Sequence, residues 1–181
     1  MLRIISGSAR GRRLKTPPGL STRPVTARIR ESLFSIWGML MPEAAFLDLF
    51  AGSGSMGIEA LSRGARQALF VDNDPRAVQV IGDNLETCRL AGQGRILRSD
   101  VLRSIEKCFH NHELFDIIYI DPPFARGELF VQVLDALDEF PLLAEGGTIV
   151  IRSRRKMSMP DETRLYTRNR HDKYGESEVH H

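Results

Sequence analysis

The chain has 181 residues, 42% of them hydrophobic and 27% charged, which is the composition of one ordinary globular domain. No apolar run approaches the length of a membrane span, and the amino terminus lacks the apolar core of a signal peptide, so we expect neither. The net charge of +2 hides an asymmetry, because residues 1–30 hold eight basic residues and no acidic one. A basic segment without counter-charge favours a nucleic-acid partner and argues against a membrane partner.

The first predicted element is a small basic hairpin. Residues 3–5 and 13–15 alternate polar and apolar side chains around a loop that contains glycine, which predicts two paired strands. We place a domain boundary after this arm, so that residues 1–25 form a nucleic-acid-binding extension and residues 26–181 form the second domain. The side chains expected to contact phosphates of the nucleic acid are Arg3, Arg10, Arg12, Arg13, Lys15, Arg23, Arg28 and Arg30.

Thr26 is predicted to cap a helix that ends near Pro42, with Arg28 and Arg30 off its apolar stripe. From residue 46 onward, apolar strands and helices alternate. The predicted strands are 46–50, 68–72, 95–98, 115–120 and 147–151, and the predicted helices are 55–63, 75–89, 102–109 and 127–138. This alternation predicts an α/β fold with a mostly parallel, doubly wound sheet that carries the N-terminal hairpin as an extension. Tyr166 and the tail around Tyr174 are predicted to add antiparallel edge strands.

A glycine-rich turn follows the first strand of this series. Gly52, Gly54 and Gly57 have the spacing of a nucleotide-binding turn, which nicotinamide, flavin and S-adenosylmethionine binders share. Asp72 ends the next strand, where a carboxylate accepts both ribose hydroxyls of an adenosine. Asp48 lies inside the first strand, where it would repel a pyrophosphate but attract a sulfonium and an ammonium, so S-adenosylmethionine fits better. The predicted cofactor contacts are Asp48, Phe50, Gly52, Ser53, Gly54, Asp72, Asn73, Asp100 and Val101.

The tetrapeptide Asp121-Pro122-Pro123-Phe124 follows the apolar run 115–120. It therefore lies at the carboxyl end of a predicted parallel strand, where ligands of open α/β sheets bind. Two successive prolines make the backbone rigid and remove two N–H donors, which leaves a cluster of acceptors. The Asp121 carboxylate and the Pro122 carbonyl can accept from a nucleobase amine while Phe124 stacks on the base, so we assign Asp121, Pro122 and Phe124 as the catalytic residues.

Other chemistry-bearing residues give weaker signals. Cys88 and Cys108 have no Cys-x-x-Cys partner and are typical of reduced thiols in a cytoplasmic protein. His110 and His112 have no further ligand nearby, so no metal site is predicted. A basic run follows the last predicted central strand and offers possible phosphate contacts. Its members are Arg152, Arg154, Arg155 and Lys156.

The sequence resembles the RsmD-type bacterial 16S ribosomal RNA guanine-N2 methyltransferases over nearly its whole length. The resemblance rests on residues 3–7, 10–14, 22–24, 28–34, 48–54 and 121–124. It implies a Rossmann-like S-adenosylmethionine-dependent methyltransferase fold and methyl transfer to the N2 amine of a guanine in small-subunit RNA. By matching position, the resemblance assigns residues 121–124 to the base. It assigns to the cofactor Asp48, Gly52, Gly54, Asp72 and Asp100. Relatives commonly carry Glu where Asp72 stands.

Two alternatives stay open at this level. The first is an adenine-N6 methyltransferase that acts on DNA or RNA, and the second is a non-catalytic RNA-binding module. The favoured hypothesis is a cytoplasmic monomeric enzyme that needs no metal and acts on 16S ribosomal RNA within the assembling 30S subunit.

Overall fold

The computed structural model describes residues 2–18, 26–123, 129–155 and 157–181. The strands are β1 (Ala45–Leu49), β2 (Gln67–Asp72), β3 (Gly94–Arg98), β4 (Phe115–Ile120), β5 (Leu143–Arg154), β6 (His171–Tyr174) and β7 (Ser177–His180). The helices are α1 (Ala27–Ile36), α2 (Ser55–Ser62), α3 (Pro75–Cys88), α4 (Val101–His110) and α5 (Leu129–Glu139), with a short 3₁₀ turn at Ala91–Gln93. None of the helices in this described part has the length and apolar character that a membrane span requires.

The strands form one sheet in the order β3-β2-β1-β4-β5-β7-β6. Strands β1 to β5 are parallel, and β7 is antiparallel to both β5 and β6. The strand order reverses between β1 and β4, so the carboxyl ends of these two strands border the crevice in which such sheets bind ligands. The predicted alternation and the mostly parallel sheet are confirmed, with small shifts at the element ends and with β5 longer than predicted. The first helix ends at Ile36 and not near Pro42, because residues 37–40 form a turn.

Helices cover both faces of the sheet. On one face α1, α2, α3 and the N-terminal arm contribute Leu33, Ile58, Ile81 and Ile4 to a hydrophobic cluster. On the other face α4 and α5 contribute side chains such as Ile105 to a second cluster. Because both faces are covered, the central strands are apolar on both sides, which explains their continuous hydrophobic runs.

The prediction of an edge strand at Tyr166 is wrong. Tyr166 lies in an irregular segment between β5 and β6, where its hydroxyl donates to the carbonyl of Leu137 at 3.2 Å. Its ring packs on the cluster beneath α5. The aromatic side chain that suggested a strand therefore covers the core from a loop, while the predicted strands around Tyr174 are present as β6 and β7.

The N-terminal segment forms a short hairpin that docks on α2. Arg3 and Arg13 pair as an antiparallel bridge. The backbone N–H groups of Ile5 and Ser6 both donate to the Glu59 carboxylate, at 2.8 and 3.0 Å. Two backbone donors and a buried carboxylate thus satisfy each other, which fixes the arm against the body of the protein.

Arg30 was expected to contact RNA, and the structure corrects this prediction. Its side chain is 1% exposed, donates to the carbonyl of Arg3, and places Nε 3.7 Å from Glu59 Oε2. A buried guanidinium beside a buried carboxylate holds α1, α2 and the hairpin together and is not accessible to a phosphate. The residue is structural.

Gly7 and Gly11 provide a matched test of this docking. Both have positive φ, of +82° and +80°. An added Cβ at Gly7 would lie 1.7 Å from the carbonyl oxygen of Ser62, whereas at Gly11 it would meet no atom of the described residues within 4 Å. We expect Gly11→Ala to lower the free energy of unfolding by about 1–2 kcal/mol through backbone strain. Gly7→Ala should lower the free energy of unfolding by about 1–3 kcal/mol more than Gly11→Ala, because the added Cβ overpacks the contact with Ser62. Urea unfolding of both variants measures the difference. Equal losses would contradict the docked hairpin.

Candidate cofactor and base site

The turn between β1 and α2 is shaped by left-handed residues. Phe50, Gly52 and Gly54 have φ of 65°, 57° and 72°. Among the described residues, a Cβ at Gly52 would have only the Phe50 carbonyl near it, at 4.0 Å, so this side of the turn has room for a ligand. The carbonyl of Ser53 accepts from the side chain of Asn84 at 2.9 Å, which ties the turn to α3. The predicted turn is present, and its backbone can approach a bound molecule closely.

Gly57, the third glycine of the motif, has a packing role. A Cβ there would lie 2.3 Å from the ring of Phe70 on β2. Its N–H donates to Asp48 Oδ2 at 3.0 Å. The absence of a side chain therefore lets α2 approach the sheet closely enough for its first turn to reach the carboxylate in β1.

Asp48 is buried in β1 with 2% of its surface exposed. Among the residues that the structure describes, no cationic side chain forms an ion pair with it. Burial raises its pKa well above the usual range, and the nearby charges of Asp121 and Asp72 raise it further. A buried carboxyl group next to two others is costly without a cation, so the site has the electrostatics of a pocket for a positively charged ligand.

Asp72 and Asn73 end β2 beside this turn. Each oxygen of the Asp72 carboxylate accepts one backbone N–H, from Gly52 at 2.8 Å and from Asp74 at 2.9 Å. Carboxylate oxygens can accept more than one hydrogen bond, so these contacts orient the group while leaving lone pairs for ribose hydroxyls. Asn73 is exposed. Contacts from both residues to a ribose stay predictions.

Asp100 and Val101 lie after β3, next to the end of β2. Asp100 Oδ1 accepts from the N–H groups of Leu102 and Arg103, at 3.0 and 3.3 Å, so the side chain caps α4. Asp100 is exposed and Val101 is buried. The N–H of Ser99 donates to the Asp72 carbonyl at 3.1 Å, which joins the ends of β2 and β3. An adenine contact at Asp100 stays a prediction, since the structure shows its capping role.

Asp121 follows β4 and forms a buried ion pair with Arg152 of β5. The Nε of Arg152 lies 2.9 Å from both carboxylate oxygens, and the Tyr119 hydroxyl lies 3.4 Å from Oδ2. Burial raises the pKa of Asp121, and the charge of Arg152 opposes that rise. Pro122 is buried and Pro123 is exposed, while Phe124 lies outside the described residues. The Asp121 carboxylate therefore lies at the end of β4 as expected and is paired with a cation. The roles of Asp121, Pro122 and Phe124 toward a base stay predictions.

Arg152 is the residue whose role the sequence analysis missed. It was grouped with Arg154 and Arg155 as a possible phosphate contact, yet it lies within β5 and is buried, whereas the other two are exposed. Lys156 is outside the described residues. One signal was present, since an arginine that directly continues the apolar run 149–151 needs a buried carboxylate partner.

Most of the predicted RNA contacts lie on the surface of the arm and of α1. Arg3, Arg10, Arg12, Arg13, Lys15 and Arg28 are exposed. Arg12 Nη1 also donates to the Thr87 carbonyl at 2.8 Å, and Lys15 Nζ pairs with Asp83 at 2.8 Å. Arg23 lies outside the described residues. Apart from Arg30, the described members of the predicted set are accessible to a polyanion.

A group of possible metal ligands lies at the outer edge of the sheet. His171, Glu178 and His180 bring their ligand atoms within 4.8 Å of one another. The two imidazoles are stacked, with centroids 4.7 Å apart and planes 9° apart, so their in-plane lone pairs run parallel and do not converge on one ion. His180 also contacts Ser153 and Arg168. This geometry is that of a packed pair of strands.

The fold and the site define a class. The architecture is that of a Rossmann-like methyltransferase. It combines a parallel sheet with a glycine turn after β1, carboxylates at the ends of β1 and β2, and a Pro-Pro segment after β4. A solved structure from Escherichia coli, described provisionally as the methyltransferase yhhF, superposes with a TM-score of 0.84 at 33% identity over 99% of this chain and 95% of that one. A hypothetical protein of Thermus thermophilus gives 0.85 at 31% identity over 99% and 98% of the two chains.

The family model described as Conserved hypothetical protein 95 matches residues 2–181. A Bacillus subtilis protein, YlbH, whose name assigns it provisionally to the rRNA methyltransferases, is 38% identical over 96% of this chain and 94% of its own length. The Ribosomal RNA small subunit methyltransferase D of Escherichia coli is 36% identical over 88% of this chain and 78% of its own. The chain belongs to this family, and its resemblance to RsmD-type proteins is confirmed.

Proposed function

We propose that this protein transfers a methyl group from S-adenosylmethionine to the exocyclic N2 amine of a guanine in 16S ribosomal RNA. The observation that carries the proposal is the group of three neighbouring carboxyl groups, Asp48, Asp72 and Asp121, beside the glycine turn. Asp48 and Asp72 have no cationic partner among the described residues, and the buried Asp48 is costly unless a cation binds. The names of the Escherichia coli and Bacillus subtilis relatives support ribosomal RNA as the substrate.

The donor set of the pocket fits this cofactor. Asp48 can hold the positive charge, the open side of Gly52 can accept the amino-acid portion, and Asp72 can accept from the ribose. When bound, S-adenosylmethionine supplies an electrophilic methyl group on a positively charged sulfur. The exposed arginines of the hairpin supply the electrostatic grip on RNA.

The base site explains how a weak nucleophile can react. The lone pair of the guanine amine is delocalised into the ring, and acceptors aimed at its two hydrogens favour a pyramidal nitrogen whose lone pair points at the methyl carbon. Asp121 and the Pro122 carbonyl are the acceptors. With the cofactor bound, the nitrogen would bond to the methyl carbon while the C–S bond would break and leave its electron pair on sulfur. The nitrogen then releases one proton to water, so Asp121 orients the amine and need not act as a base.

The partner and setting follow from the same proposal. The target guanine reaches the pocket from a loop or by flipping, because the amine is inaccessible within a stacked helix. We infer that the substrate is the assembling 30S subunit in the cytoplasm, met by a monomeric enzyme that uses no metal.

Tritiated methyl transfer to 30S particles from a strain that lacks the modification tests the activity. Mass mapping of the labelled nucleotide tests the base and the atom. Label in an adenine would replace the guanine proposal with the adenine-N6 alternative. RNA binding without transfer by the wild-type protein would favour the non-catalytic module.

Charge reversal in the hairpin tests the RNA surface. We expect Arg10→Glu, Arg12→Glu and Arg13→Glu together to weaken RNA binding and to flatten its dependence on salt. The logarithmic slope should fall by about 0.7–0.9 for each phosphate that the protein no longer neutralises. Affinity measured at several salt concentrations gives both quantities.

The control for the hairpin variant reverses Arg66 and Arg95, and the two slopes are compared per reversed charge because the hairpin variant reverses three arginines and the control two. These arginines lie at the amino ends of β2 and β3, whereas the site lies at the carboxyl ends of the strands. A control variant with the same decrease in slope, or a hairpin variant with an unchanged slope, would remove the arm from the RNA interface.

A further inference from the structure

We propose that Arg152 is a positioning residue for methyl transfer, whose guanidinium holds the Asp121 carboxylate as an oriented anion at the base site. This inference rests on the proposed function, because it assigns a role within that same site. It adds a residue of β5 to a site otherwise built from the ends of β1, β2 and β4.

The register of the sheet places the two groups together. Ile120 of β4 pairs with Ile151 of β5, so Asp121 and Arg152 are the next residues along two neighbouring parallel strands. The Nε of Arg152 is 2.9 Å from each oxygen of the carboxylate. The two side chains are 8% and 14% exposed, so solvent does little to screen the interaction.

A second contact orients the guanidinium from the other side. Arg152 Nη1 lies 3.4 Å from the hydroxyl of Ser177, the first residue of β7. Strand β7 therefore supports the arginine, and the arginine supports the catalytic carboxylate. A buried ion pair adds little net stability, because desolvation offsets the attraction, so its effect on the charge and direction of Asp121 is the better account of its presence.

The charge of Asp121 depends on this contact. The described groups that face it are Arg152 from β5, Tyr119 from β4 and Asp48 from β1. Burial raises the pKa of Asp121, Arg152 and the Tyr119 hydroxyl lower it, and the two carboxyl groups of Asp48 and Asp121 repel. Without Arg152 the carboxyl group would protonate at higher pH than it does now. A protonated group donates a hydrogen bond from one oxygen and is a weaker acceptor toward the amine.

The test compares Arg152→Gln with Arg152→Lys. In Arg152→Gln we expect the pKa of Asp121 to rise, so kcat at pH 7 should fall by about tenfold for each unit by which that pKa exceeds the pH. The activity should return as the pH is raised, and the Kd for S-adenosylmethionine should stay within about twofold, because the arginine does not face Asp48 or Asp72. Arg152→Lys keeps the positive charge, so the dependence of its kcat on pH should be close to that of the wild type.

A second measurement does not depend on activity. The ¹³C shift of the Asp121 carboxyl carbon, assigned by its disappearance in Asp121→Asn, should titrate at higher pH in Arg152→Gln than in the wild type. The matched control is Arg170→Gln, which removes an exposed arginine paired with Asp172. It should change neither the titration of Asp121 nor the dependence of kcat on pH. If Arg152→Gln does not fold, Ser177→Ala replaces it, because it removes the second contact of the guanidinium and should shift the Asp121 titration to higher pH by a smaller amount.

Several outcomes would overturn the inference. An unchanged titration of Asp121 in Arg152→Gln would do so, as would a decrease in kcat that is equal at every pH. A wild-type protein that transfers no methyl group to RNA would instead overturn the proposed function, and the carboxyl titration would still decide whether Arg152 controls the charge of Asp121.

Discussion

Asp121→Asn is expected to lower kcat for methyl transfer by about 100- to 1000-fold, the usual cost of removing one preorganised electrostatic contact. The amide keeps the size of the carboxylate but offers one acceptor oxygen, and its NH₂ group would point a donor at Arg152 or at the substrate amine. The Kd for S-adenosylmethionine should change little, because Asp48 and Asp72 hold the cofactor in the proposed site. Methyl transfer to unmodified 30S particles and calorimetric titration with the cofactor measure the two quantities.

Asn is a sharper substitution than Ala at this position. Removal of the carboxylate by Asp121→Ala would leave Arg152 buried without its partner, which typically costs about 3–5 kcal/mol of stability and confuses folding with catalysis. The control is Asp161→Asn, which changes an exposed aspartate paired with Arg168 in the segment between β5 and β6. Full activity in Asp121→Asn would show that the amine is oriented by other groups.

Asp48→Asn is expected to separate cofactor affinity from stability. Removal of a hydrogen bond to a charged group typically costs about 1.5–3 kcal/mol, so the affinity for S-adenosylmethionine should fall by about 10- to 150-fold. The protein without cofactor should be as stable as the wild type or more so, because the variant no longer buries an acid without a cation. Asn can still accept the Gly57 N–H. Calorimetry and urea unfolding, each with and without cofactor, measure the two effects.

The pH dependence of unfolding gives a second test at Asp48. Its pKa in the folded protein is raised by burial, so its contribution to stability is fully present below the usual pKa of an aspartate and is lost as the pH rises through the raised value. The free energy of unfolding of the wild type without cofactor should therefore decrease as the pH rises through the raised pKa. The free energy of unfolding of Asp48→Asn should decrease less over the same pH range. Asp116→Asn is the matched control, since Asp116 accepts one backbone N–H, from Ala45 at 2.7 Å, near the amino end of β4. An Asp48→Asn variant with unchanged affinity would contradict the cofactor site.

The central sheet and its glycine turn could be predicted because their causes are local. The run 115–120 is apolar on both faces, which only a strand covered by helices on both sides requires. Gly52 and Gly54 adopt positive φ, and Gly57 lies against the ring of Phe70. The spacing of the three glycines therefore predicts the shape of the turn. Asp48 and Asp121 were located by their positions relative to predicted strand ends.

The errors arose where a side chain has a distant partner. Arg30 lies on a helix whose apolar stripe passes beside it, and the sequence pattern does not show Glu59, the carboxylate on α2 that makes its burial possible. Tyrosine is common in strands, but a hydrogen bond to the carbonyl of Leu137 and contacts with the core under α5 hold Tyr166 in a loop. In each case the deciding partner is distant in sequence.

Asp121 and Arg152 show the same division within the site. The sequence by itself determined the alternating fold, the turn with its acidic neighbours and the position of the Asp-Pro-Pro segment at a strand end, because periodicity, glycine spacing and strand ends are properties of contiguous residues. Only the tertiary structure decided that β5 lies next to β4 with Ile151 opposite Ile120, which places a guanidinium 2.9 Å from the Asp121 carboxylate. Strand register is a relation between segments 31 residues apart, and an ion pair that depends on it is visible only once the sheet is assembled.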